Sequence, residues 1–198
     1  MPRSKDSRTG ARILLLVGDM VGANCTSNEN KLSILEKFRR YGWDVTVAGA
    51  ERVIRPCAYA AGRGEVPLEM DRTVDELGEA RDYDAISVLP APSHRGLCQS
   101  PDVIRLVRDA AAAGLVVSAW CHGVRVLAVA DVIRGKRIVG HEADRQAIEQ
   151  AGGLFVGHDH PPVTDGLLVT VARSYYDRAK HCDAIKAALA SRAAAATS

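Results

Sequence analysis

An α/β fold, a doubly wound and largely parallel sheet with helices on both faces, is what this 198-residue sequence predicts. Three observations predict it. Short, continuous apolar runs recur along the chain, as in strands buried on both faces. Amphipathic helical stretches separate them, and a helix between two strands makes parallel pairing the natural outcome. Hydrophobic residues make up 47% and charged residues 25%, an ordinary globular composition with enough apolar material for one core. In such a sheet the chemistry belongs beyond the carboxyl ends of the strands.

Taken in order, residues 1–11 form a basic leader expected to be disordered, and one domain is expected over 12–190. Arg12-Ile13-Leu14-Leu15-Leu16-Val17 is the first strand, ended by Gly18, and a polar loop follows from Asp19 to Asn28. Residues 29–41 have helical spacing, with Leu32, Leu35 and Phe38 inward, Asn28 as N-cap and Gly42 as stop. Residues 44–48 are the second strand. The pattern weakens from 51 to 76, with a short strand at 52–57 and a turn at Gly62-Arg63-Gly64. Residues 85–89 are a buried strand closed by Pro90-Ala91-Pro92. Residues 101–113 are a helix with Val103, Leu106, Val107 and Ala110 on one face. A short strand at 137–139, a helix at 142–151, strands at 154–156 and 167–171, and a last helix at about 176–189 complete the pattern. The alanine-rich tail at 191–198 is expected to fray.

The stretch that carries chemistry is Leu115-Val116-Val117-Ser118-Ala119-Trp120-Cys121-His122-Gly123, an apolar strand running into a helix with Val124, Leu127 and Ala128 on one face. Small residues two positions before and after Cys121 (Ala119 and Gly123) match the spacing of a nucleophile elbow in cysteine form. The apex of such a turn is strained, so its neighbours must be small. Helix N-terminal N–H groups there favour thiolate over thiol and can hold an oxyanion. The bland alternative is a small core cysteine, and His122 beside it weighs toward a nucleophile.

Other features exclude more than they assign. A net charge of +2 with dispersed basic residues gives no footprint for nucleic acid or a membrane surface, and no apolar stretch reaches the ~20 residues of a membrane span. Five cysteines (Cys25, Cys57, Cys98, Cys121, Cys182) at irregular spacing, without a C-x-x-C, fit free thiols in a reducing cytoplasm. His158-Asp159-His160, with His181 or Cys182, matches no zinc spacing and reads as a solvated loop, from which Asp159 or His160 can reach His122. Cys182 recurs with Ile185 and Leu189 as a core position. Cys25 is a loop cysteine or a second thiol near Cys121, Trp120 packs or lines the pocket, and one of Tyr175 and Tyr176 faces the cleft. Neither metal nor cofactor is expected.

The chain resembles the ThiJ/PfpI superfamily, whose flavodoxin-like fold is similar to the class I glutamine amidotransferases. The resemblance covers about residues 12–189. It rests on the opening strand Ile13–Asp19, on Arg40-Tyr41-Gly42-Trp43-Asp44-Val45-Thr46-Val47-Ala48, on Asp82-Tyr83-Asp84-Ala85-Ile86, on Ala119-Trp120-Cys121-His122-Gly123, on Ala151-Gly152-Gly153 and on Asp165-Gly166-Leu167-Leu168-Val169-Thr170. It implies that Cys121 is the nucleophile and His122 its neighbour. The family's glutamate, which bonds the cysteine from the first helix, corresponds to Asn30, with Glu29 beside it. An amide cannot take the thiol proton, although it can donate a hydrogen bond. Protease-like members carry Pro-Gly-Gly and then an acid. Here the turn is Pro90-Ala91-Pro92, the acid's position falls on Gly96, and His94 lies between.

The expected protein is therefore a cysteine-nucleophile enzyme acting on a small carbonyl, amide or nitrile-like compound by hydrolase or hydro-lyase chemistry, with a specialised metabolic role. Cys121, His122, Asn30 and Glu29 form its catalytic set. Asp19, Ala91, Pro92, His94, Trp120 and Gly123 form its substrate and oxyanion pocket. The resemblance implies a homodimer, and the expected setting is the cytoplasm, with a small-molecule substrate and neither nucleic acid nor membrane as partner. The alternative is a stress-linked redox sensor or chaperone-like relative whose cysteine is oxidised rather than catalytic, and a third is a scaffold that keeps the elbow for packing.

Overall fold

The computed structural model describes residues 10–26 and 33–196. Strand β1 (Arg12–Leu16) sends Ile13 and Leu15 to one face and Leu14 and Leu16 to the other, all fully buried, which is why its sequence is apolar throughout rather than alternating. Helix α1 (Ile34–Arg40) begins at a capping box: the Ser33 hydroxyl accepts the Glu36 N–H at 3.1 Å and the Glu36 carboxylate accepts the Ser33 N–H at 2.8 Å. Ser33 rather than Asn28 is thus the cap, and the expected cap and Leu32 lie outside the described residues. Gly42, at φ 75°, turns the chain into β2 (Asp44–Gly49).

The weakly patterned segment contains β3 (Val53–Ile54), α2 (Ala58–Ala61), β4 (Leu68–Glu69) and β5 (Arg72–Thr73). Then come β6 (Ala85–Val88), α3 (Arg95–Gln99), α4 (Pro101–Ala112), β7 (Val116–Trp120) and α5 (Val124–Val129). The last third has β8 (Arg137–Ile138), α6 (Arg145–Gln150), β9 (Leu154–Phe155), β10 (Val163–Asp165), β11 (Leu168–Val171) and α7 (Ser174–Ala195).

The main sheet runs β10-β11-β7-β6-β1-β2-β5, parallel except for the β10–β11 hairpin. Helices α1 and α7 cover the face that carries Ile13, Leu15, Val116 and Trp120. Helices α3, α4 and α5 lie on the face that carries Leu14, Leu16, Val117 and Ala119. The expected doubly wound α/β architecture is the one observed. The chain leaves β1 for β2 on one side and returns as β6 on the other, so the topological switch point lies between β1 and β6, where a crevice opens. Register places the strand ends together: Leu16 pairs with Val88, and Val88 with Ala119. The segments after β1, β6 and β7 therefore leave the sheet side by side.

Several boundaries differ from those expected. Helix α7 continues to Ala195, so most of the supposed frayed tail is helical, in keeping with alanine's helix propensity. The helix expected over 142–151 is a tight turn, Glu142–Asp144, followed by α6. Helices α2 and α3 and the hairpin strand β10 were not expected. Among the described residues no helix is long and apolar enough to cross a membrane.

Candidate functional site

Strand β7 ends at Trp120 and the chain turns through Cys121–Gly123 into α5. Cys121 has φ 52°, one of three described non-glycine residues at positive φ. A bulky residue in this conformation costs on the order of 1–3 kcal/mol, which the surrounding packing must hold. The elbow's size rule has a visible cause at Gly123, where an added Cβ would stand 3.0 Å from Val88 Cγ1 and 3.1 Å from the Val88 carbonyl. Ala119, on the other flank, is fully buried.

The electrostatics of the thiol correct the expectation of a resting thiolate. Burial pushes the Cys121 thiol up from its ordinary value, and the Asp144 carboxylate adds to this. The His122 backbone N–H and the Arg125 guanidinium act the other way without prevailing. Desolvation of the charged form outweighs the donors at the turn.

His122 has a partner that the sequence did not disclose. Its Nδ1 lies 2.7 Å from Asp144 Oδ2, and Asp144 is fully buried at the end of the Glu142–Asp144 turn. Asp144 Oδ1 accepts from Arg125 Nε, so the carboxylate bridges a ring and a guanidinium. Burial works against its ionisation, but the His122 and Arg125 hydrogen bonds and charges hold its pKa below the ordinary carboxylate value. The imidazoles then form a row, with ring centroids 4.7 Å apart from His122 to His141 and 4.8 Å from His141 to His158. His141 is lowered, first by burial and then by the two neighbouring rings.

Neither Asp159 nor His160 orients His122. Asp159 pairs with His158 Nδ1 at 3.2 Å and Arg173 at 3.5 Å, and His160 Nδ1 donates to the Pro161 carbonyl at 2.8 Å. Among the described residues no group of three or more His, Cys, Asp or Glu side chains is arranged to hold a metal ion.

Asp19 ties the loop after β1 to the loop after β6. Its carboxylate accepts the Ser93 hydroxyl, the Arg95 N–H at 3.0 Å and the Gly96 N–H at 2.9 Å. Burial opposes its ionisation, and these bonds outweigh it, so its pKa is lowered. A Cβ at Gly96 would stand 2.8 Å from Asp19 Oδ1, so the carboxylate leaves no room for a side chain there. Gly22 is equally constrained, because its Cβ would meet the Pro90 carbonyl oxygen at 2.0 Å.

Two pocket assignments, His94 and Trp120, fail on burial, and so does the reading of Cys25 as a second thiol. His94 is 2% exposed, bonds the Leu89 carbonyl through Nε2 at 2.9 Å, and is pushed by burial to a pKa of about 4. It is a neutral prop under the loop. Trp120 is fully buried on the α7 side, donating Nε1–H to Ser87 Oγ at 3.0 Å, and lines no cleft. Cys25 lies on the loop after β1 as a loop cysteine, but it is folded inward: it is fully buried in the core cluster with its Sγ 3.6 Å from the Pro90 carbonyl, which leaves it no role as a second nucleophile. Ala91 is buried and Pro92 exposed at the switch-point loop. Asn30 and Glu29 lie outside the described residues.

The family model described as DJ-1/PfpI matches residues 11–184. A protein from Archaeoglobus fulgidus, described as uncharacterized, is 26% identical over 148 residues, 72% of this chain and 83% of that one. The protein/nucleic acid deglycase 2 of Escherichia coli is 32% identical over 110 residues, covering 52% of this chain and 58% of that one. Among solved structures, a ThiJ/PfpI domain protein from Brachyspira murdochii superposes with a TM-score of 0.75 at 15% identity, over 92% of this chain and 98% of that one. That likeness is one of fold.

Proposed function

The chain belongs to the DJ-1/PfpI family, and from that premise we propose that it is an enzyme that uses Cys121 as a covalent nucleophile on a small carbonyl, amide or nitrile-like compound. The observation that carries this reading is the 2.7 Å bond between His122 Nδ1 and the buried Asp144. It fixes the imidazole's tautomer and leaves Nε2 for proton transfer, the role an acid plays behind a catalytic histidine. Asp144 does the work that the family's other acid positions, Asn30 and Gly96 here, do not supply.

An amide would be cleaved in two stages, acylation of the thiol and hydrolysis of the thioester. Sγ bonds to the carbonyl carbon, the thiol proton passes to His122 Nε2, and the π pair moves onto oxygen, held by N–H groups at His122 and at Ala91. Pro92 has no N–H to contribute. His122 returns the proton to the leaving nitrogen as the C–N bond breaks, leaving a thioester. Water then attacks with His122 as base, the C–S bond breaks, and the proton returns to sulfur. For a nitrile carbon Sγ bonds to carbon as the thiol proton passes through His122 to nitrogen, giving a thioimidate; water then adds to that carbon, the C–S bond breaks, the proton returns to sulfur and an amide leaves. A thiol that is neutral at rest suits this sequence, since the charge appears only when an electrophile is present. It suits a redox sensor less well, because oxidation follows thiolate character. A second copy of the chain is the expected partner.

The test is turnover of small amides, aldehydes, nitriles and isonitriles, with intact-mass detection of the adduct. The expected result is consumption of one class with a transient adduct on Cys121, both abolished in Cys121→Ala. Reversible oxidation of Cys121 without turnover of any class would move the assignment to the redox sensor, and an unreactive Cys121 would move it to the scaffold.

A further inference from the structure

Arg178, near the start of α7, is 5% exposed. A guanidinium this buried is ordinarily matched by a carboxylate, because removing its charge from water is costly. Arg178 makes one hydrogen bond, from Nη1 to Asn24 Oδ1 at 3.0 Å, and no ion pair among the described residues. Neither of two other buried acids pairs with it. Asp177 pairs with Arg173 at 3.0 Å and Lys180 at 3.3 Å. Glu65 accepts the Thr26 N–H at 2.9 Å and the Thr26 hydroxyl through Oε2, and its Oε1 is buried without a hydrogen-bond partner among the described residues. Among the described residues, most of the five-donor fork of Arg178 therefore has no acceptor.

A second cation stands beside it. Arg63 lies over the Tyr175 ring at 5.5 Å and over the Tyr59 ring at 4.6 Å, and it too forms no ion pair among the described residues. Tyr175 sits three residues before Arg178 on α7, so the two share a face of that helix, and Arg63 lies over the same tyrosine. Tyr59 and Tyr175 are 63% and 47% exposed, so the stack opens to solvent. Two arginines that pair with no acid among the described residues, one buried and one lying over two tyrosine rings, are complementary to an anion.

We propose that Arg178 and Arg63, with Tyr175 between them, form a binding site for an oxyanion, a carboxylate or phosphate group carried by a small molecule. The site does not include Cys121, so its occupancy does not depend on the proposed catalytic reading. The flat flank of tyrosine and guanidinium suits an oxyanion on a planar group. The bond from Arg178 to Asn24 links the site to the loop after β1, which packs on Pro90 through Gly22 and Cys25. An occupied site would thereby steady the loop beside the switch-point crevice.

The experiment is thermal unfolding of the full chain at pH 7 and constant ionic strength, with sodium phosphate or sodium benzoate replacing sodium chloride. A ligand that binds only the folded state raises the Tm in a saturable way. The wild type should show such a rise with at least one of the two anions, and the anion that saturates at lower concentration identifies the group preferred. In Arg63→Gln, an exposed change that leaves folding intact, the apparent Kd should rise by about ten-fold or more. In Arg178→Met the shift should vanish while the ligand-free protein melts at or above the wild type, since an uncompensated buried charge has been replaced by an apolar side chain. The proposal is overturned if neither anion gives a saturable shift, or if Arg63→Gln responds as the wild type does. Should Arg178→Met fail to fold, the Arg63→Gln titration decides.

Discussion

His122 and His181 both neighbour Trp120, the first along the chain and the second across the core, and have opposite characters. His181 packs its ring against Trp120 at 4.1 Å, is fully buried, and has no hydrogen-bond partner on either nitrogen. Burial alone drives its pKa to about 3, so it is a neutral packing group. His122, two residues after Trp120, has one nitrogen bonded to a buried carboxylate and a ring partly open to solvent. An imidazole in a fold becomes usable through the acid behind it, and inert when it is sealed without one.

The sharpest way to break that contrast is Asp144→Asn. By analogy with other acid–histidine–nucleophile sites, Cys121-dependent turnover should fall by about 10³- to 10⁴-fold, read as kcat on the best substrate, with the fold retained. Unchanged turnover would make His122 as silent as His181. The next effect lies on the silent side. The folded pKa of His181 is depressed, so below about pH 6.5 the unfolded chain takes a proton that the native state refuses. Stability is therefore lost as pH falls from the unfolded value toward about 3, and likewise toward about 4 for His94. Urea unfolding at pH 7 and pH 5 should show His181→Leu gaining about 2 kcal/mol on the wild type between the two. An unchanged difference would mean that His181 is protonated or solvated in the fold.

A smaller effect is expected from Arg125→Gln. Arg125 is 40% exposed, so solvent screening limits its contribution to roughly 1 kcal/mol. The depressed pKa of Asp144 stabilises the fold above the unfolded carboxylate value, and that stability is lost as pH falls through the folded value. Without Arg125 the depression shrinks, so acid unfolding should begin at a higher pH. The smallest effect is expected from His158→Gln, at the outer end of the imidazole row. Stability should stay within about 0.5 kcal/mol of the wild type and the rate of Cys121 alkylation should be unchanged, and a large loss of rate would extend the working site outward.

What was readable in the sequence was short-range. The apolar runs of β1, β2, β6, β7 and β11 and the elbow with its small flanking residues are patterns within a few positions, and the fold follows from them. Asp144 was hidden because it arrives 22 residues after His122, on a turn whose acids look like ordinary helix-start residues. Only the burial of that one carboxylate marks it, and burial is a tertiary property. His94 and Cys25 show the converse, since loop residues that fold inward look the same in sequence as loop residues that face the cleft. The region 51–76 was weak because its strands are two residues long, too short to show a period. The end of α7 looks like a fraying tail in the sequence, but an alanine run has helical propensity and the helix carries on through it.

The tether of Asp144 bears on how such a site changes over generations. Its carboxylate belongs to a three-residue turn between β8 and α6, outside the strand–turn–helix unit that holds the thiol. Nucleophile and acid are therefore inherited on separate cassettes, joined by two hydrogen bonds. A lineage can lose an acid at one location and recruit another from a different loop without disturbing the corner. A designer can graft the 140–145 turn between relatives in the same way, testing donors of the acid on a constant elbow.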